Sequence, residues 1–75
     1  METFELKEEY IQLDQLLKSL KFAGSGGMAH MLVDDGLVKV NGFVEKRRRA
    51  KIRVGDSIEF QGKKVSIIAK EESGE

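Results

Sequence analysis

The sequence predicts an α+β fold: two N-terminal helices packed on a small, mostly antiparallel β-sheet. Three observations predict it. Leu13, Leu16, Leu17 and Leu20 recur at helical spacing. After Gly36 the apolar period drops from 3.6 to 2. Two-residue turn signals, Asn41-Gly42 and Gln61-Gly62, punctuate the second half. Helices and sheet would each carry one apolar face, and each needs the other to bury it. The 75 residues suit one small domain over 1–75, with its core at about 11–68. A chain this short buries only about 60% of its unfolded surface.

Thr3 to Lys7 alternates, with Phe4 and Leu6 on one side, and reads as a short strand. The stretch YIQLDQLLKSLKFAG then carries the leucine stripe of the first helix. Asp14 stands in its first turn and Lys18 and Lys21 near its end, each matched to the helix dipole. Gly24 is the expected stop. Ser25 is placed to cap a second helix, GGMAHMLVDD, with Met28, Ala29, Leu32 and Val33 as its apolar stripe and Gly36 as its stop.

Val38 and Val40 then share one strand face and Lys39 takes the other. Asn41-Gly42 predicts a type I′ turn, from which Phe43-Val44-Glu45 returns. After a basic segment, Gly55-Asp56 is a turn, Ser57 to Phe60 a strand, Gln61-Gly62 its turn and Lys63 to Ile67 its return. Val65 and Ile67 would oppose Ile58 and Phe60. Phe4, Phe22, Phe43 and Phe60 read as core, while Tyr10 stays unassigned. The polar tail from Lys70 is expected to fray.

Composition narrows the function. Without cysteine there is no disulfide framework and no thiolate zinc site. No apolar run approaches the ~20 residues that cross a bilayer, and the acidic start METFE lacks the apolar core of a secretory signal. The expectation is a soluble, cytoplasmic protein. Asp34-Asp35 and Glu8-Glu9 are sequence neighbours that would face different directions, which makes them poor metal ligands. His30 lies off the core line of its helix, with no partner for acid–base chemistry, and is expected to be exposed. An enzyme, a metal, a cofactor and a small-molecule substrate are therefore not expected.

The charge pattern is the strongest functional signal. Thirteen basic and thirteen acidic residues cancel, yet residues 46 to 53 hold Lys46, Arg47, Arg48, Arg49, Lys51 and Arg53 and no acid. All four arginines of the chain lie there. Charge runs are most often only solvated surface. Here arginine is used although lysine prevails elsewhere, and its planar fork matches phosphate oxygens and stacks on bases. In an extended segment Glu45 and Arg47 share a side, so the acid would orient the arginine. Ile52 and Val54 would anchor the far end, leaving Arg53 outward.

The pieces LDQLL, a serine opening the second helix, DDGLVKVNG and IRVGDSIEF resemble the S4-like RNA-binding domain, also called the alpha-L RNA-binding motif, over Ile11 to Phe60. The segment VEKRRRAKI is similar to the stand-alone small members of the YaaA/YbcJ kind. The resemblance implies binding of structured RNA, with ribosomal RNA or a ribosomal subunit precursor as partner during ribosome assembly. Where the family has arginines before Leu-Asp and after the helix-opening serine, this chain has Gln12 and Gly26. Phosphate contact is accordingly expected from Arg47, Arg48, Arg49, Lys51 and Arg53, with Lys46 and Lys39 as outer support. Asn41 is first a turn residue and second a candidate donor to RNA. The few aromatics form no stacking row, which favours shape and phosphate recognition. A monomer is expected. The alternative is a protein-interaction module that uses the segregated charges without nucleic acid.

Overall fold

In the computed structural model, which describes residues 2–70, the elements run in the order β1 (Glu2–Leu6), β2 (Ile11–Gln12), α1 (Leu13–Ser19), α2 (Gly26–Asp34), β3 (Val38–Val40), β4 (Phe43–Val44), β5 (Lys51–Ile52), β6 (Ser57–Phe60) and β7 (Lys63–Ala69). Five strands form one sheet in the order β1-β7-β6-β3-β4, and β2 and β5 form a separate two-stranded ribbon. Every pair is antiparallel except β1 with β7, whose register sets Phe4 beside Ile67. The mixed α+β architecture is the one the periodicity predicts.

Both hairpin turns take the geometry their residues favour. Asn41 and Gly42 have φ of 54° and 89°, and Gln61 and Gly62 have 53° and 79°. This double positive φ defines the type I′ turn, whose twist suits antiparallel strands. The core is one cluster. Leu13, Leu16 and Leu17 of α1 and Ala29 and Val33 of α2 meet Val38, Ile58, Phe60, Val65 and Ile67 of the sheet. Ala50 and Ile52, from the far end of the basic segment, join the same cluster. Phe22 packs on Phe60 with ring centroids 5.2 Å apart, a tilted aromatic contact.

Four expectations are corrected. The first helix stops at Ser19 and not at Gly24; the left-handed residue is Lys21, with φ 64°. Lys21 N–H bonds to Lys18 O and Phe22 N–H to Leu17 O, both at 3.0 Å. This pair of bonds closes a Schellman turn, and it delivers Phe22 and Ala23 to the core. At α2, Ser25 Oγ accepts the Met28 N–H at 3.2 Å as expected. Met28 itself is exposed, its sulfur 3.4 Å from the Gly24 N–H, so the apolar stripe narrows to Ala29, Leu32 and Val33. Phe43 is 77% exposed, because it sits opposite Val40 on the outermost strand, where no helix covers it. Val54 is also exposed, in the turn that Gly55 makes at φ 98°.

Gly36 ends α2 as expected, with φ 74°, and its N–H bonds to Val33 O. Of the tail expected to fray, Lys70 is exposed and its N–H reaches Leu6 O at 3.3 Å. Residues 71–75 lie outside the described residues.

Candidate nucleic-acid interface

The basic segment leaves the sheet after β4 and returns to structure at β5. Its backbone is pinned along the way. Glu45 N–H bonds to Val38 O at 3.0 Å. Gln12 precedes α1 without offering a side-chain cap, so the first N–H groups of that helix need partners. The basic segment supplies them: Leu13 N–H bonds to Ala50 O at 2.9 Å and Asp14 N–H to Arg48 O at 3.0 Å. Two bridges of the β2–β5 ribbon, Ile11 with Ile52 and Gln12 with Lys51, extend the attachment. The far end is held by Asp56, whose Oδ2 accepts the Arg53 N–H at 2.9 Å. The segment is thus a positioned loop and not a solvated excursion.

Its side chains divide by parity. Lys46 and Arg48 turn to the C-terminus of α2. Lys46 Nζ donates to Asp34 O at 3.1 Å, and Arg48 grips the Asp34 carboxylate at two points, 3.1 Å and 2.6 Å. Cations there also oppose the negative end of the helix dipole. The Arg48 fork holds the Asp34 carboxyl below its ordinary value. Arg47, Arg49, Lys51 and Arg53, with Ala50, instead line one shallow depression of about 500 Å³. A turn at Arg48-Arg49, closed by the Ala50 N–H on Arg47 O at 3.3 Å, sends the neighbouring side chains in these two directions.

Within the depression, Arg47 is aimed by Glu45 as expected, through Nε to Oε2 at 3.0 Å and Nη2 to Oε1 at 3.2 Å. These bonds lower the Glu45 carboxyl below its ordinary value. Arg49, Lys51 and Arg53 have no acidic ion-pair partner among the described residues. Lys51 Nζ and Arg53 Cζ stand 5.0 Å and 5.8 Å from the centroid of the Tyr10 ring.

The two remaining sequence candidates lie elsewhere. Lys39 is exposed on β3, in register with Val44 on one side and Glu59 on the other, and does not line the depression. Asn41 commits both ends of its amide within the fold. Nδ2 donates to Asp56 Oδ1 at 3.0 Å and Oδ1 accepts the Ser57 N–H at 2.9 Å. Asp56 therefore ties the Asn41-Gly42 turn to Arg53.

His30 corrects the expectation of an exposed, partnerless side chain. Its Nε2 lies 3.1 Å from Oδ2 of Asp14, which is buried. Asp14 thereby connects α2 through His30 to the basic segment through its own N–H. Sequence reasoning missed this link and the role of Tyr10. The one usable signal for Tyr10 was its position just before the leucine stripe, off any core pattern.

Comparison with known proteins gives the family. The model of the S4 domain family matches residues 4–68. The chain belongs to the S4 domain family. The chain is 40% identical to YbcJ of Escherichia coli (strain K12) over 92% of its own length and 100% of that protein's. It is 41% identical to a Bacillus subtilis (strain 168) protein named "Probable ribosome maturation protein RlbA", over 72% of its length and 76% of that protein's. The solution structure of E. coli YbcJ, described as revealing an αL motif involved in RNA binding, superposes with a TM-score of 0.70, covering 92% of this chain and 89% of that one. Among the described residues no cluster of three or more His, Asp or Glu could hold a metal, and no helix is long and apolar enough to cross a membrane.

Proposed function

We propose that this protein binds structured RNA by seating the phosphate backbone in the depression lined by Arg47, Arg49, Lys51 and Arg53, and that its target is ribosomal RNA during ribosome assembly. One observation carries the reading: four cations converge on one concavity whose backbone is bonded to a helix N-terminus and a strand ribbon. Guanidinium groups bind phosphate oxygens at two points, and a pre-positioned set loses less side-chain entropy on binding than a mobile one. Lys46 and Arg48, engaged at α2, act as supports for the loop. Lys39 adds charge at a distance, and Asn41 holds the turn that anchors Arg53.

The RNA class rests on the relatives. YbcJ's structure is described as carrying a motif involved in RNA binding, and RlbA is named for ribosome maturation. Crosslinking in cells, followed by sequencing of the attached RNA, tests the reading with the Arg47→Ala/Arg49→Ala variant as control. A peak on one ribosomal RNA helix that disappears in the variant is the expected result. Enrichment of no RNA over background would overturn it. The interaction-module alternative gains one observation, the exposed Phe43 on edge strand β4. Such a module would keep its protein partner when competing RNA is added.

A further inference from the structure

Tyr10 is not accounted for by the hydrophobic core. It is outside the hydrophobic cluster and 36% exposed, and it belongs to neither helix nor strand. It lines a shallow, largely apolar groove of about 570 Å³ together with Glu8, Glu9, Ile11, Gln12 and Gln15. The groove and the basic depression share the β2–β5 ribbon: Gln12 of the groove pairs directly with Lys51 of the depression. The two concavities are therefore neighbours, and the Lys51 and Arg53 cations that stand by the Tyr10 ring mark their boundary.

From this juxtaposition we infer that Tyr10 stacks on an unpaired base of the bound RNA, whose flanking phosphates sit on Lys51 and Arg53. The inference rests on the RNA-binding reading and specifies its substrate: a helix interrupted by a bulged or looped-out nucleotide. Three physical points support it. Glu8 and Glu9 on the groove repel phosphate, so an uncharged base is the part of the RNA that can enter. Stacking of a base on an aromatic ring is stronger than an exposed cation–π contact, so the ring can exchange its cations for a base. The released cations then pair with the phosphates on either side of that base. Bases splayed from loops and bulges are the usual objects of aromatic stacking in RNA recognition.

Tyr10 is the only tyrosine and the chain has no tryptophan, so its intrinsic fluorescence reports this position alone. The test is titration with an RNA hairpin carrying a single bulged adenine and with its fully paired counterpart. The bulged RNA is expected to quench the fluorescence and bind more tightly. Tyr10→Phe should keep the preference, while Tyr10→Ala and Tyr10→Leu lose roughly 5- to 150-fold in affinity for the bulged RNA alone. Equal binding of both RNAs by wild type and Tyr10→Ala would overturn the inference. If Arg47→Ala/Arg49→Ala still abolishes binding in that case, the RNA-binding reading survives without Tyr10. If the wild-type protein binds neither RNA, the inference falls, and the crosslinking experiment decides the RNA-binding reading.

Discussion

Glu45 and Arg47 form a fork two residues apart, in which the carboxylate accepts Nε, Nη2 and the Arg47 backbone N–H at 3.0, 3.2 and 3.0 Å. The acid inside a basic run is thus a positioning device for the arginine. It neutralises one charge and in return fixes the direction of a guanidinium that would otherwise sample many rotamers.

The fork gives a pH dependence. The hydrogen bonds from Arg47 hold the Glu45 carboxyl below its ordinary 4.5, and those from Arg48 hold Asp34 below its ordinary 3.8. A depressed carboxyl contributes stability above its unfolded value and loses it as pH falls through the folded one. Wild-type thermal stability is expected to decline below pH about 4.5. The Glu45→Gln/Asp34→Asn variant should show a flatter acid limb. Melting curves between pH 2.5 and 7, roughly the carboxylate titration range, check this.

The parity of the basic segment predicts a division of labour. Arg47→Ala with Arg49→Ala should weaken RNA binding at least tenfold, and each alanine should flatten the plot of log K against log salt by about 0.7–0.9. Melting temperature should fall only by what the Glu45–Arg47 fork contributes, with no added loss from Arg49. Arg48→Ala should do the reverse, lowering the melting temperature more than Arg49→Ala while leaving the salt slope closer to wild type. Salt titrations of binding, paired with melting curves, separate the two groups.

Asn41 combines a left-handed φ of 54° with two side-chain hydrogen bonds. Asn41→Gly keeps the turn and loses the bonds, at a cost of about 1–2 kcal/mol. Asn41→Ala also strains the turn and should cost roughly 1 kcal/mol more. Asn41→Asp replaces the Nδ2 donor with a carboxylate facing Asp56 and should cost more than Asn41→Gly at pH 7. Urea unfolding of the three variants orders them.

Lys21 ends α1 at φ 64°, a conformation that costs a side chain about 1 kcal/mol. Lys21→Gly is expected to stabilise the protein by up to ~1 kcal/mol, less whatever is lost from the favourable charge at the helix end. Gly24→Ala, at a glycine whose added Cβ would meet nothing within 4 Å, should be neutral or slightly stabilising. Thermal unfolding distinguishes the true helix stop from the glycine that resembles one.

What the sequence by itself determined is local. Asn41-Gly42 and Gln61-Gly62 fix their turns because positive φ is a property of two adjacent residues. The leucines of α1 and the alternation around Lys39 declare helix and strand because side-chain direction repeats at 3.6 and 2 residues. The Glu45–Arg47 fork was legible for the same reason, being an i to i+2 contact in extended chain. The tertiary structure decided which groups of distant sequence meet. Arg48 reaches Asp34 across 14 residues and His30 reaches Asp14 across 16. Phe43 looks like core in sequence, yet it is exposed because the sheet ends at β4. Glu45 marks Arg47 in the one-letter string, but nothing there separates Arg48 from Arg49. They differ only once the packing of α2 and the ribbon puts a helix C-terminus on one side of the segment and an open depression on the other.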